Sequence, residues 1–390
     1  MLITYSKFSV QSLYFGVRKS KTKQNQMKLK SIIAMLFIGV GTLVYSQEYL
    51  TPEEQAYRDS ITALNLENET IANSQEAYNK GIELFSQKNY QQAIGEFKKS
   101  IQFDPNFTAA YYNKGVAENE ASKFNDAIKT LNKLIELKPS YSKAFFQRGR
   151  AFQGLNDYLK AENDYEASIK LDATNPKAHY NYGTLRFLQK DYDGAISYFS
   201  QTIKLDGEMI NAYNDRGSSF RMKGDYTRAL ADYETVVRKN PNLAFVLNNI
   251  GSTKAKMKDW AGALAAYNRA ISIDAKFYLS YNNRGVVQVN QGRLDDAIKD
   301  FKKAMEIKSN YSPAASNLSG VYFQKKDYKK ALETAEKAVK MDKENGSAYV
   351  NRANAKEMMR DMNGACEDWN KAKELGVEAG NIYFAGNCAN

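Results

Sequence analysis

Residues 210–243 read INAYNDRGSSFRMKGDYTRALADYETVVRKNPNL, and the reading of this stretch decides the fold. Tyr213, Gly217 and Phe220 are spaced four then three, which sets them on one face of a helix. Asp225 stands where a side chain can cap a second helix, Ala229 and Tyr233 share that helix's inward face, and Pro241 stops it. The pattern returns every 34 residues: alanine at 93, 127, 161, 195, 229, 263, 297, 331 and 365. Glycine at 81, 115, 149, 183, 217, 251 and 285 keeps the same register, continued by Ser319 and Ala353. A fixed period of this length marks a stacked repeat protein, in which each unit buries its apolar faces against its neighbours.

The first unit begins at Ser74, with Ala77, Gly81 and Leu84 on its first helix, Asn89 as the expected cap of its second, and Pro105 as the stop. Later turns carry Asp157, Asp191, Asp225, Asp259, Asp327 and Asp361, commonly followed by an aromatic residue. Segments such as Tyr281-Asn282-Asn283-Arg284-Gly285 carry the resemblance: the chain is similar to the tetratricopeptide repeat family. The resemblance implies an all-α fold, a right-handed superhelical solenoid of about nine units over 74–379, starting at 74, 108, 142, 176, 210, 244, 278, 312 and 346. Places 4, 8 and 11 of each unit are expected to form the core. Five units replace the final proline, by Ala173, Gly207, Ala275, Ser309 and Lys343, and Gly207 is expected to cap in the left-handed conformation. Met362 and Ala353 make the ninth unit atypical, as a terminal copy should be.

The formal charge of +11 would suit nucleic acid, but its distribution does not. Residues 1–46 hold seven Lys or Arg and no acid, so the rest of the chain is nearly balanced and nucleic acid is not expected as a partner. Residues 1–26 match no domain and read as a non-native or unstructured extension. Met27-Lys28-Leu29-Lys30, the apolar run Ile32 to Tyr45, and Ser46 are the parts of a secretory signal peptide over 27–46. The run is short for a membrane span, so contact with the membrane is expected only through this segment if it stays uncleaved. The expected location is outside the cytoplasm: periplasm, cell envelope or secreted. Residues 47–73 read as a polar linker or poor capping helix, and 380–390 as a C-terminal cap. In an oxidising compartment Cys366 and Cys388 are a candidate disulfide.

A stacked array curves, so one face becomes a concave groove lined by the first helices. Place 6 of successive units reads Asn79, Asn113, Gln147, Asn181, Asp215, Asn249, Asn283, Asn317 and Asn351. Side-chain amides match the donors and acceptors of an extended peptide backbone. In superhelical arrays that this chain resembles, such a ladder holds a bound polypeptide; equally, the amides can bond the neighbouring helix. Place 5 supplies Tyr78, Tyr112, Phe146 and Tyr180, either as anchors for a ligand or as packing. Lys143, Arg150, Lys177 and Arg221 add positive charge, suiting an acidic partner or merely a solvated face. No unit has lysine at place 5, which argues against a carboxylate clamp for free carboxyl termini. His179, the one histidine, falls at a core place, and no carboxylates converge, so neither an enzyme, a cofactor nor a metal is expected. The expected role is a protein-interaction scaffold that binds an extended polypeptide. The alternatives are a structural subunit of a cell-envelope complex using its convex face or edges and, less favoured, an enzyme accessory.

Overall fold

The computed structural model describes residues 51–388, all helix and turn, with 19 α-helices among them. The two segments 1–26 and 27–46 read above as extension and signal lie outside the described residues, as do 389–390. The described residues divide into two compact units, 51–173 and 174–388.

In the first unit α1 (Pro52–Ser86), α2 (Tyr90–Phe103), α3 (Thr108–Glu120), α4 (Phe124–Leu137), α5 (Ser142–Gly154) and α6 (Tyr158–Leu171) pack in consecutive pairs. Residues 52–73, read above as linker or poor cap, are helical and continuous with the first helix of the first repeat. Thr51 and Glu54 close a reciprocal capping box at its start, and Pro52 occupies the first turn, where a missing N–H costs nothing.

The second unit holds α7 (Pro176–Leu188), α8 (Tyr192–Leu205), α9 (Ile210–Met222), α10 (Tyr226–Lys239), α11 (Ala244–Lys256) and α12 (Trp260–Ile273). It continues with α13 (Tyr278–Asn290), α14 (Leu294–Ile307), α15 (Ser312–Gln324), α16 (Tyr328–Met341), α17 (Gly346–Met358), α18 (Met362–Glu374) and α19 (Glu378–Asn387). The last of these, α19, packs on α18, with Tyr383 stacked on Trp369 at 5.5 Å between ring centroids. Cys366 and Cys388 are joined, their Cα atoms 5.7 Å apart, so the bond pins the end of α19 to α18.

The glycine ladder lies against the large residue at place 24 of the same repeat. A Cβ on Gly251 would come within 2.6 Å of Tyr267, and one on Gly285 within 2.7 Å of Phe301. Overpacking of this kind costs about 1–3 kcal/mol. In the eighth repeat both members change together: Ser319 replaces glycine where Ala335 replaces the ring, and its hydroxyl donates to the Ala331 carbonyl at 2.6 Å.

The core is wider than places 4, 8 and 11. Ala144, Ala178, Ala212, Val246 and Ala314 at place 3, and Ala151, Leu185, Val287 and Val321 at place 10, are completely or almost completely buried. Several place-4 rings, such as Tyr213 and Tyr281, are only half-buried. The first helix of a repeat is sandwiched between its own second helix and the preceding repeat. It therefore has two buried faces, where a surface helix has one.

The six turn aspartates accept from the backbone N–H three residues on at 2.9–3.3 Å, each worth about 1 kcal/mol as an N-cap. Asn89 departs from expectation: it makes no cap bond, and its amide donates instead to Gln87 at 3.3 Å. Gly207 is also not left-handed. Several second helices stop another way, on a residue whose side chain accepts from the N–H two residues on. Asp206 does so from Glu208 at 3.0 Å and Asp274 from Lys276 at 2.9 Å. In the fourth, sixth and eighth repeats this local turn stands in for the final proline.

The left-handed residue sits earlier, in the turn inside each repeat. Gly224 and Gly292 fill it in two repeats, but Lys88, Ser122, Asn156, Lys190, Lys258, Lys326 and Arg360 take φ between 57° and 70° in the others. A side chain there costs roughly 1–2 kcal/mol, partly offset by the freedom glycine loses on folding. Lys258 is exposed and at φ 62°. Lys258→Gly should therefore raise the unfolding free energy by about 0.5–1 kcal/mol. Denaturant titration checks this, and a loss of stability would contradict it.

Candidate functional site

In the first unit most of the place-5 and place-6 side chains lie inside. Tyr78, Tyr112 and Phe146 are buried, as are Asn113 and Gln147. The Asn113 amide donates to the Tyr78 hydroxyl at 2.8 Å, and Tyr112 hydrogen-bonds Gln147. Burial also lifts the Tyr112 phenol above its ordinary pKa. These rings are core, which corrects the expectation of aromatic anchors at the amino end: close packing of one repeat on the next covers them. Asn79 is exposed, its Oδ1 accepting from Gln75 at 2.9 Å. Lys143 is exposed, whereas Arg150 is half-buried and pairs with Glu120 at 3.1 Å, so it is no free cation for a ligand.

The second unit repeats the same bond with different chemistry. Each place-6 group meets the place-5 group of the preceding repeat. Tyr180 donates to Asp215 Oδ2 at 2.6 Å, and Asn249 to Asn214 Oδ1 at 3.1 Å. Asn283 donates to Asn248 Oδ1 at 3.1 Å, Asn317 to Asn282 Oδ1 at 3.0 Å, and Asn351 to the Ser316 carbonyl at 2.8 Å. The amide ladder is thus a zipper between repeats, the second of the two readings open from sequence. Asn181 differs and donates to the Lys177 carbonyl in its own helix at 2.9 Å. The place-6 asparagines stay half-exposed in this unit. The carbonyl oxygens of Asn249, Asn317 and Asn351 accept no protein donor among the described residues.

Beside the zipper, Ser252, Lys256, Trp260, Asn283, Val286 and Asn290 line a cavity of about 300 Å³. Arg221 is half-buried on α9, and its Nε finds no acceptor among the described residues. Lys177 is exposed. His179 is buried against Tyr198, with 6.2 Å between ring centroids. Among the described residues no group of carboxylates, thiols and histidine is placed to hold a metal ion.

Sequence reasoning missed a second periodic feature. In alternate repeats an arginine at place 7 grips a buried aspartate on its own second helix. Arg216 donates to Asp232 at 2.9 and 2.7 Å, Arg284 to Asp300 at 2.7 and 2.6 Å, and Arg352 to Asp368 at 2.8 and 2.5 Å. The third nitrogen crosses to the preceding second helix, to Ser200 from Arg216 and to Asn268 from Arg284. In the first unit Arg148 does the same with Asp164 and Asn132. The guanidinium also lies over the place-4 ring, 5.8 Å from Tyr213 and 5.4 Å from Tyr281. Forked bonding holds the pKa of Arg216, Arg284 and Arg352 up, with the bond to the aspartate the main cause in each. The recurrence of Arg and Asp in every second repeat was the available signal.

Asp215 is the one carboxylate in the zipper. Burial pushes its pKa above the ordinary carboxylate range, outweighing the bonds from Tyr180 and Asn214. The folded chain therefore holds this proton to higher pH than the unfolded chain. Ionised Asp215 costs stability above the raised value; the cost shrinks as pH falls through it and is gone below the unfolded value. Asp215→Asn keeps an acceptor for Tyr180 and removes the charge. The variant should melt higher than the parent near pH 7, with the difference closing by about pH 3.5. A melting difference independent of pH would contradict this account.

Comparison with known proteins agrees with the geometry. A family model described as tetratricopeptide repeat matches residues 78–142, 146–210 and 214–275, and a second model of the same description matches 277–344. Together they cover more than half of the chain. No curated protein matches the sequence at a significant level. Among solved structures, a tetratricopeptide repeat protein from Parabacteroides merdae ATCC 43184 is similar, with TM-score 0.54 and 18% identity over 63% of this chain and 97% of that one. The crystal structure of the APC/C hetero-tetramer Cut9–Hcn1 is similar with TM-score 0.51 and 17% identity. That match covers 78% of this chain and only 58% of that one. At these identities the likeness is one of fold. The matched models and the stacked helix pairs together make this chain a member of the tetratricopeptide repeat family, whose repeats serve as scaffolds for binding protein or peptide partners.

Proposed function

We propose that the protein is an exported scaffold that captures an extended polypeptide along the first-helix face of its repeats. The observation that carries this reading is the state of the zipper in the second unit. One N–H of each of Asn249 and Asn317 is spent on the neighbouring repeat, which fixes the amide plane. The carbonyl oxygen and the other N–H are left for a ligand, at half-exposed positions. A backbone N–H and C=O are the complementary pair. Preorganised amides lose little freedom on binding. The adjoining cavity, with Lys256 and Trp260 in its wall, accepts a side chain of the bound segment, and the positive charge of Lys256 and Arg221 favours an acidic one.

Truncating the asparagines would also loosen the repeats, so the cleaner test leaves the zipper intact. Peptides selected from a displayed library on the full chain should bind at least about ten-fold more weakly to Lys256→Glu/Val286→Lys, equivalent to about 1.4 kcal/mol. An unchanged Kd for every selected peptide would refute binding on this face.

Export is supported by the basic start at Met27–Lys30, the apolar run to Tyr45, and the paired cysteines at the other end. Mature protein recovered from the producing cells should begin at Gln47 and leave the cytoplasm. Recovery of a chain starting at Met1 or Met27 in the cytoplasmic fraction would refute it.

A further inference from the structure

The first 22 residues of α1, 52–73, extend beyond the first repeat as about six turns of helix. Among the described residues nothing packs on them, and nearly all are exposed. A helix owes most of its stability in water to packing of an apolar face. This one carries such a face unused. Tyr57, Ile61, Leu64, Asn68 and Ile71 are spaced four, three, four, three, which is the a/d seam of a coiled coil, and the four apolar members are 65%, 40%, 51% and 55% exposed.

The details of the seam select the occupant. Taking Tyr57, Leu64 and Ile71 as d places Ile61 and Asn68 at a. A single asparagine at a suits a parallel, in-register pair, because two copies of Asn68 then face each other and satisfy each other's amides across the axis. The flanking charges agree. Glu53 falls at g and Arg58 at the following e, so in a parallel pair each Glu53 faces the other copy's Arg58. The seam starts at Tyr57, since the preceding a residue, Glu54, is held by Thr51 in the capping box. It stops at Ile71, beyond which the helix enters the repeat at buried Ser74 and Ala77. We infer that residues 52–73 form a two-stranded parallel coiled coil with a second copy of this chain, joining two repeat arrays side by side at their amino ends.

The test uses the full chain in sedimentation velocity and thiol cross-linking. The parent should show a concentration-dependent monomer–dimer equilibrium. Ile61→Lys/Leu64→Lys should abolish the dimer and leave thermal melting of the repeats unchanged, since neither side chain touches them. The native cysteines are paired with each other. Leu64→Cys on the seam should therefore give a disulfide-linked dimer on mild oxidation, whereas Leu66→Cys, on the opposite face at f, should not. Glu53→Arg should weaken the dimer, and the added Arg58→Glu should restore it. A monomeric parent, including one that instead binds vesicles of anionic phospholipid through this helix, would overturn the inference. So would a dimer that survives the double lysine variant, or equal cross-linking at 64 and 66.

Discussion

The fold rests on one contact made repeatedly: a ring or leucine at place 24 of the second helix pressed against a bare glycine on the first. Tyr233 at Gly217, Tyr267 at Gly251 and Phe301 at Gly285 are its central instances. With no Cβ in the way, the ring reaches the helix backbone, and the two helices close to a separation that the rest of the repeat inherits. The hydroxyls of Tyr233 and Tyr267 then reach Ser218 and Ser252 on the first helix at 3.0 and 3.2 Å. In the eighth repeat both members of the pair change together. Serine is admitted where the ring has become Ala335, and the pair still closes.

That spacing also fixes what the polar residues can do. Once first helices stand this close to those of the next repeat, side chains at places 5 and 6 meet across the junction, and any pair with a donor and an acceptor bonds. The chain uses four chemistries for one geometry: amide to phenol at Asn113 and Tyr78, phenol to carboxylate at Tyr180 and Asp215, amide to amide at Asn283 and Asn248, and amide to backbone carbonyl at Asn351 and Ser316. Structure and binding therefore draw on the same groups. The same asparagine that ties two repeats with one hydrogen presents its remaining atoms at a fixed angle to solvent.

The repeat, its period and its helix boundaries were legible in the sequence because volume and capping are local. A glycine 16 residues before a ring, or an aspartate before a helix, states its purpose in the text. The site was less legible. Asn79 and Asn113 look alike in the ladder, yet one is exposed and the other buried, because only the second has a preceding repeat to cover it. The same ambiguity made Tyr78 and Tyr112 look like surface anchors. Burial at places 3 and 10 was hidden for a related reason: alanine and serine signal little hydrophobicity, and their role depends on a second neighbour that a single amphipathic pattern does not reveal. Asn89 and Gly207 carried the right residue type for a cap and a left-handed stop, but the backbone took the strained conformation elsewhere, at Lys88 and its counterparts.

The arginine–aspartate clamps have a bearing on how such a chain can change in length. They occur in alternate repeats, with Tyr182 stacked on Tyr198 at 4.2 Å, Ile250 and Leu318 at the equivalent places between them. Three of the four arginines reach back to the preceding second helix, at Asn132, Ser200 and Asn268, so there the preceding repeat supplies a small polar acceptor. The repeating module is accordingly a doublet. Losing or duplicating one repeat sets two clamped or two unclamped copies side by side, so that two successive junctions are bridged by guanidinium groups or two successive ones are not. Losing or duplicating two leaves every junction as it was. The grammar of the chain permits growth in steps of two.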